Sequence, residues 1–212
     1  MPVNVPLVSG ELTNLPKAGE EIIDKLVRFR IDSDRLVAGR VCTALRAALV
    51  AAQPVLAEAA DILDVKNAGG LNIEAIEIEP ATQHLLVGLR SPLQAGKALL
   101  ARIENPAGIF ERGEAPHIAP ILQLDLGGHG LRGLSWIPAL GGFLLVSGPV
   151  AREQTQFRLW FWSGHADAGA RPVGVPGLAG FEHAEGITPA QLDGREQVLI
   201  VSDDGNRAEG RP

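Results

Sequence analysis

Three charged residues, Glu74, Arg132 and Glu185, stand at matching places in a pattern that recurs along the chain, 58 and 53 residues apart. Each is followed by a small residue, an apolar run, a turn-forming stretch and a second apolar run. Three readings suit this set. Glu74 and Glu185, with Asn72 and Asp203 as further oxygen donors, are of the type that holds Ca2+ or Mg2+, ions that favour carboxylate and amide oxygens. A metal there would polarise a carbonyl or phosphoryl oxygen for hydrolysis. Alternatively, the two glutamates pair with Arg132 and Arg90 and align neighbouring units without any ligand. An organic ligand bound among the same groups is a third reading. Arg90, Asp203 and Asp204 end the second apolar runs and are expected on an adjacent surface.

Other chemistry is poorly represented. His183 lies two residues before Glu185 and His129 three before Arg132, so either is a candidate general base; a hydrogen-bonded structural histidine fits the same positions. The five histidines lack H-x-x-x-H and H-E-x-x-H spacing, which argues against zinc. Ser91 and Ser147 lack the G-x-S-x-G setting of a nucleophile. The stretch Asp125-Leu-Gly-Gly-His-Gly130 lacks the Gly-Lys-Ser/Thr ending of a phosphate loop; its glycines suit positive φ at a crossing between units. No catalytic residue is assigned.

The elements that must position these groups read as short strands. The first copy pairs 72–78 with 84–90 across a turn at 79–83. The second pairs 130–136 with 143–148 across 138–142, and the third pairs 183–188 with 196–202 across 189–195. Two more strands follow each of the first two copies, at 97–103 and 117–125, then at 157–162 and 171–175. Four strands per unit, with a period near the roughly 40–50 residues of a blade, predict an all-β partial β-propeller of about three blades of four-stranded antiparallel sheet. A β-sandwich is the competing architecture. Residues 25–32 and 36–41 form the outer half of a preceding unit. Residues 43–64 break the pattern: Leu45, Leu49 and Ala52, then Leu56, Ala59 and Leu63, predict two short helices joined at Pro54 and packed on one sheet face. Trp160 and Trp162 share a strand face and are expected between units. The loop 106–116 is expected to keep Glu111, Arg112 and Glu114 solvated, and 148–156 reads as a polar loop. One domain spans 1–212, with a loose lead-in at 1–20, blades over 21–205 and a disordered tail at 206–212.

Composition narrows the classes. Hydrophobic residues make up 46%, and 25 glycines with 15 prolines fit a turn-rich β protein. A net charge of −6 argues against nucleic acid, because phosphate contacts need clustered Lys and Arg. No apolar run reaches the ~18–20 residues of a membrane-spanning helix. The single cysteine, Cys42, allows no internal disulfide and reads as a small buried residue. The amino terminus shows no basic region followed by an apolar core, so the default compartment is cytoplasmic, or the exterior if a preceding segment carried a signal.

The runs Gly70-Leu-Asn-Ile-Glu-Ala, Gly88-Leu-Arg-Ser-Pro-Leu, Leu124-Asp-Leu-Gly-Gly-His-Gly-Leu-Arg-Gly-Leu and His183-Ala-Glu-Gly-Ile together resemble the bacterial family of domain of unknown function 3616, over roughly 25–205. The resemblance implies a propeller-like fold and a longer protein, of which this chain would be the carboxy-terminal portion. Ala75 departs from the glycine expected after the first glutamate. The family implies no activity. The functional expectation is a scaffold that binds a small molecule or a protein at the central channel face, through Asn72, Glu74, Arg90, Arg132, His183, Glu185 and Asp203. It needs no cofactor and engages neither nucleic acid nor membrane; open blade edges favour self-association. The alternative is a Ca2+- or Mg2+-dependent hydrolase of lactonase or phytase type, with Glu74 and Glu185 as metal ligands.

Overall fold

The computed structural model describes residues 25–32, 35–63, 65, 68–150, 156–177 and 183–202. The lead-in, the carboxy-terminal tail and Asp203 with Asp204 lie outside them. In chain order the elements are β1 (Leu26–Asp32), β2 (Arg35–Cys42), α1 (Leu45–Ala52), α2 (Pro54–Ala60), β3 (Asn72–Ile78), β4 (Leu85–Ser91), β5 (Ala98–Ile103), β6 (Leu122–Leu124), β7 (Gly130–Ile137), β8 (Gly142–Gly148), β9 (Arg158–Trp162), β10 (Arg171–Val173), β11 (Ala184–Leu192) and β12 (Arg195–Ser202). They form four antiparallel sheets. Two are complete meanders, β3–β4–β5–β6 and β7–β8–β9–β10, and two are hairpins, β1–β2 and β11–β12.

Alternation along the central strands explains how the sheets stack. On β4, Leu85, Val87 and Leu89 face a core shared with Leu45, Leu49 and Leu56 of the helices. Leu86 faces the opposite way, into a core with Leu131, Phe143 and Trp162 of the next sheet. On β8, Phe143 and Leu145 face back into that second core, while Leu144 and Val146 face a third that includes Ile187, Val198 and Ile200 of the last hairpin. Strands covered on both sides need apolar residues at every position, so they read as continuous runs without polar alternation. Trp160 and Trp162 both enter the second core, between the two complete sheets. Phe143 bridges two indoles there, 5.1 Å from the Trp136 ring and 5.3 Å from the Trp162 ring.

The helical insertion follows its sequence. Pro54 opens α2, where its missing N–H leaves no helical bond unmade. Leu45, Leu49, Leu56 and Ala59 are buried; Leu63 lies past the end of α2 and is exposed.

Three expected elements differ. The third hairpin does not turn at 189–195: β11 runs through Pro189 to Leu192, and the reversal is Asp193-Gly194, with φ of 51° and 72°. Positive φ at both positions suits the twist of the flanking strands and favours Asp-Gly. The strand expected over 117–125 shrinks to Leu122–Leu124, with one isolated bridge between Ile118 and Ile103, because Pro120 has no N–H to give the ladder. The loop 106–116 contains a π-helical turn, Gly108–Arg112. Its charges are paired as well as solvated: Glu111 with Arg28 at 2.7 Å, and Arg112 with Glu114 at 2.6 Å. Arg28 and Arg112 hold the Glu111 and Glu114 carboxyls below the usual carboxylate range.

Candidate functional site

The three repeat-marking residues share a backbone feature. In β3–β4, Ile73 pairs with Leu89 and Ala75 with Gly88, which leaves Glu74 without a partner. In β7–β8, Leu131 pairs with Ser147 and Gly133 with Val146, leaving Arg132. In β11–β12, Ala184 pairs with Ser202 and Gly186 with Val201, leaving Glu185. Each is the extra residue of a β-bulge, a device that re-aims a side chain out of the regular alternation. The hairpins adjoin in series, with β7 next to β3 and β4 on one side and β11 on the other.

Close approach explains the small residues after the first two bulges, while a Cβ on Gly186 would make only an ordinary contact, 3.8 Å from Val201. A Cβ on Gly133 would meet Ile187 of β11 at 3.2 Å. Ala75 replaces glycine in the first copy, and Gly88 opposite compensates: a Cβ on Gly88 would stand 2.9 Å from that of Ala75 and 3.0 Å from Leu131. Gly130 is stricter still, since a Cβ there would stand 1.8 Å from the Arg90 carbonyl oxygen. This contact brings the start of β7 against the end of β4, so Arg90 and Arg132 converge on Glu74.

Both oxygens of the Glu74 carboxylate are engaged. Its Oε1 accepts from Asn72 Nδ2 at 2.9 Å and Arg90 Nη1 at 3.4 Å; its Oε2 accepts from Arg132 Nη1 at 2.8 Å. The two guanidiniums also share one acceptor, the Pro149 carbonyl, at 3.2 Å from Arg90 Nε and 3.2 Å from Arg132 Nη2. Arg90 Nη2 donates to the Val150 carbonyl at 3.4 Å. The Arg132 guanidinium lies 5.4 Å from the Phe157 ring centre. Burial lowers the Arg132 pKa below the ordinary arginine value, and Arg90 adds to the fall while Glu74 opposes it. A charged arginine persists at neutral pH regardless.

The other expected residues join unequally. Arg90, expected on an adjacent surface, is buried inside the cluster. Glu185 reaches only 4.0 Å from Arg132, and its side chain is 56% exposed against 9% for Arg132. His183 is exposed, with φ of 50° and its ring 5.9 Å from Phe157. His129 is buried, and its Nδ1 has no hydrogen-bond partner among the described residues. Burial, then the Arg158 charge, lowers its pKa. Sequence reasoning missed the Pro149 and Val150 carbonyls, which any residue type would supply, and the Phe157 ring, whose aromatic type beside Trp160 and Trp162 was the available signal. Among the described residues, no group of three or more His, Cys, Asp or Glu side chains converges as a metal site would require.

No curated protein and no solved structure matches the chain. A family model described as Protein of unknown function (DUF3616) matches residues 43–211, from the helices through the last hairpin and excluding β1–β2. With most of its length covered by that model, the chain belongs to the DUF3616 family.

Proposed function

We propose that the chain is a propeller-type scaffold that binds a polar organic molecule or a protein at the end of its sheets where the bulges of β3, β7 and β11 lie. The observation that carries this reading is the common bulge: three successive hairpins bear their charged residue at the same ladder position, and β7 sits between the other two. In a propeller the first strands of successive blades surround one axis, and bulges near it turn side chains toward that axis. Glu74, Arg90 and Arg132 then form the rigid floor of the face. Glu185, His183 and Asn72 are its accessible polar groups, with Asp203 following β12 in sequence.

Metal-assisted hydrolysis is the competing reading, and the electrostatics at Glu74 weigh against it. Both carboxylate oxygens already accept from guanidinium groups, and a divalent cation would sit beside two buried positive charges. Calorimetric titration with CaCl2 and with MgCl2 tests this. No saturable heat is expected. Saturable binding that Glu74→Gln and Glu185→Gln both abolish would overturn the scaffold reading in favour of the hydrolase. A crystal structure tests the architecture: β3, β7 and β11 around one axis support it, and two facing sheets with hydrogen bonds running between the present ones would end it.

A further inference from the structure

We propose that a second copy of this chain completes both terminal sheets: the edge of β12 that has no neighbour among the described residues pairs antiparallel, in one protomer, with the corresponding edge of β1 in its partner. The proposal rests on the propeller reading above and adds to it a partner and a pair of strands.

The two hairpins lack opposite halves of a sheet. The β1–β2 hairpin lies over the outer half of the second sheet, where Arg28 stacks on Phe110 at 5.0 Å and pairs with Glu111 in the β5–β6 connection. Among the described residues the inner half of that sheet is uncovered: Ile76 and Ile78 of β3 face a cleft of about 760 Å3 beside Leu26 of β1. The β11–β12 hairpin has the converse arrangement. It adjoins β7 and β8, the inner half of the third sheet. Leu159, Phe161 and Val173 of β9 and β10 instead line a groove of about 670 Å3, flanked by Val198 and Ile200 of β12. One cleft lies where strands one and two of a meander would sit, the other where strands three and four would.

Each hairpin carries what the other's groove requires. On β1, Val27, Phe29 and Ile31 share one face by alternation and are exposed. On β12, Leu199 and Val201 share a face and are exposed. In the β4–β5 and β8–β9 pairs, cross-strand partners share a face. The same rule for β12 and β1 puts Val27, Phe29 and Ile31 on the side of Val198 and Ile200, over Phe161. It also turns Leu199 and Val201 toward Ile76 and Ile78 of the partner. The edges match in length, 8 residues against 7. Charge matches too. Residues 26–42 hold four arginines and two aspartates, a balance of +2, and residues 184–202 hold one arginine, two glutamates and one aspartate, a balance of −2. Two copies supply four complete sheets and two composite ones. Six sheets fall within the roughly four to eight of closed propellers, and a two-fold arrangement leaves neither terminal hairpin as half a sheet.

Light scattering on the intact chain should give twice the 22.4 kDa monomer mass. A monomer, with the edges covered from within the chain or left open, overturns the proposal, and so does an open polymer. A monomeric crystal structure that keeps β3, β7 and β11 around one axis removes only the second copy; a rearranged one removes the propeller reading as well. The double variant Phe29→Lys, Ile31→Lys should be monomeric with an unchanged far-ultraviolet circular dichroism spectrum. Leu63→Lys, at an exposed apolar residue outside both grooves, should remain dimeric. If the lysine variant fails to fold, cross-linking decides. Phe29→Cys with Ile200→Cys, treated with a short bis-maleimide, should give a covalent dimer, since the one native thiol, Cys42, is buried. A sedimenting dimer that cannot be cross-linked overturns the strand assignment.

Discussion

The two ends of β3 use the same ionic chemistry to different effect. At its start, Glu74 sits on a bulge and binds two arginines from two sheets, Arg90 of β4 and Arg132 of β7, whose side chains are 7% and 9% exposed. At its far end, Glu79 lies in the β3–β4 turn. It accepts from the Thr82 hydroxyl within that turn and from Arg102 Nη2 at 3.4 Å, with His84 Nδ1 3.9 Å away. Among the described residues, Arg102 reaches the next sheet through the Gly164 carbonyl, at 3.4 Å. The first cluster ties sheets together around two buried guanidiniums; the second closes a hairpin with a single guanidinium, Arg102, that is 21% exposed, although Glu79 itself is 13% exposed against 24% for Glu74. The cost of breaking such a pair rises with the burial of the charge left behind, and it is the cations that differ: two buried guanidiniums at Glu74, one partly exposed guanidinium at Glu79.

Glu74→Leu should therefore have the largest effect, about 3 kcal/mol of lost stability by urea denaturation, since two buried guanidiniums lose their shared carboxylate. Adding Arg132→Met should recover part of that loss. Strict additivity of the two substitutions would mean that they do not act as one unit. Backbone fit at the same end comes next. Gly88→Ala forces a methyl against Ala75 and Leu131 and should cost about 1–3 kcal/mol. Ala75→Gly in the same chain should relieve it; an unrelieved double variant would place the conflict at Leu131 alone. At the other end, Glu79→Gln should cost less than Glu74→Leu, because it leaves one guanidinium, Arg102, that keeps contact with water. A loss as large as that of Glu74→Leu would erase the distinction between the two ends.

This contrast also explains what could be read in advance. Glu74, Arg132 and Glu185 were legible because a bulge repeated in three hairpins leaves a charged residue in front of a small one each time. The central strands were legible because burial on both faces makes them unbroken apolar runs. The reversal at Asp193-Gly194 was misplaced because Pro189 looked like punctuation, yet the β11 ladder accommodates a residue without an N–H at that position. Arg90 carried no mark of burial: an arginine after Val87-Gly-Leu looks like a strand end. Gly130 admits the approach of β7 against the Arg90 backbone, and Glu74 with the Pro149 and Val150 carbonyls encloses the guanidinium. The shared Pro149 carbonyl had no signature, because every residue carries one.

The smallest expected effect is a pH dependence confined to the Glu74 end. His129 directly precedes Gly130, and burial together with Arg158 lowers its pKa below the ordinary 6.5. Its folded-state value thus lies below its unfolded-state value, and the unfolded chain takes up the proton first as pH falls. By linkage, stability should be level above about pH 6.5 and decline as pH drops from there toward the folded-state value. The Glu111 and Glu114 carboxyls, held below their ordinary 4.5, act in a separate range: their contribution is present above that value and lost at lower pH. Denaturation midpoints between pH 5 and 8 should therefore fall on the acid side in the native chain and flatten in His129→Asn. At the other end, His84 lies beside the Glu79 carboxylate that also pairs with Arg102. His84→Asn should leave the His129-dependent decline in place. Its disappearance there instead would move the titrating group to the Glu79 cluster.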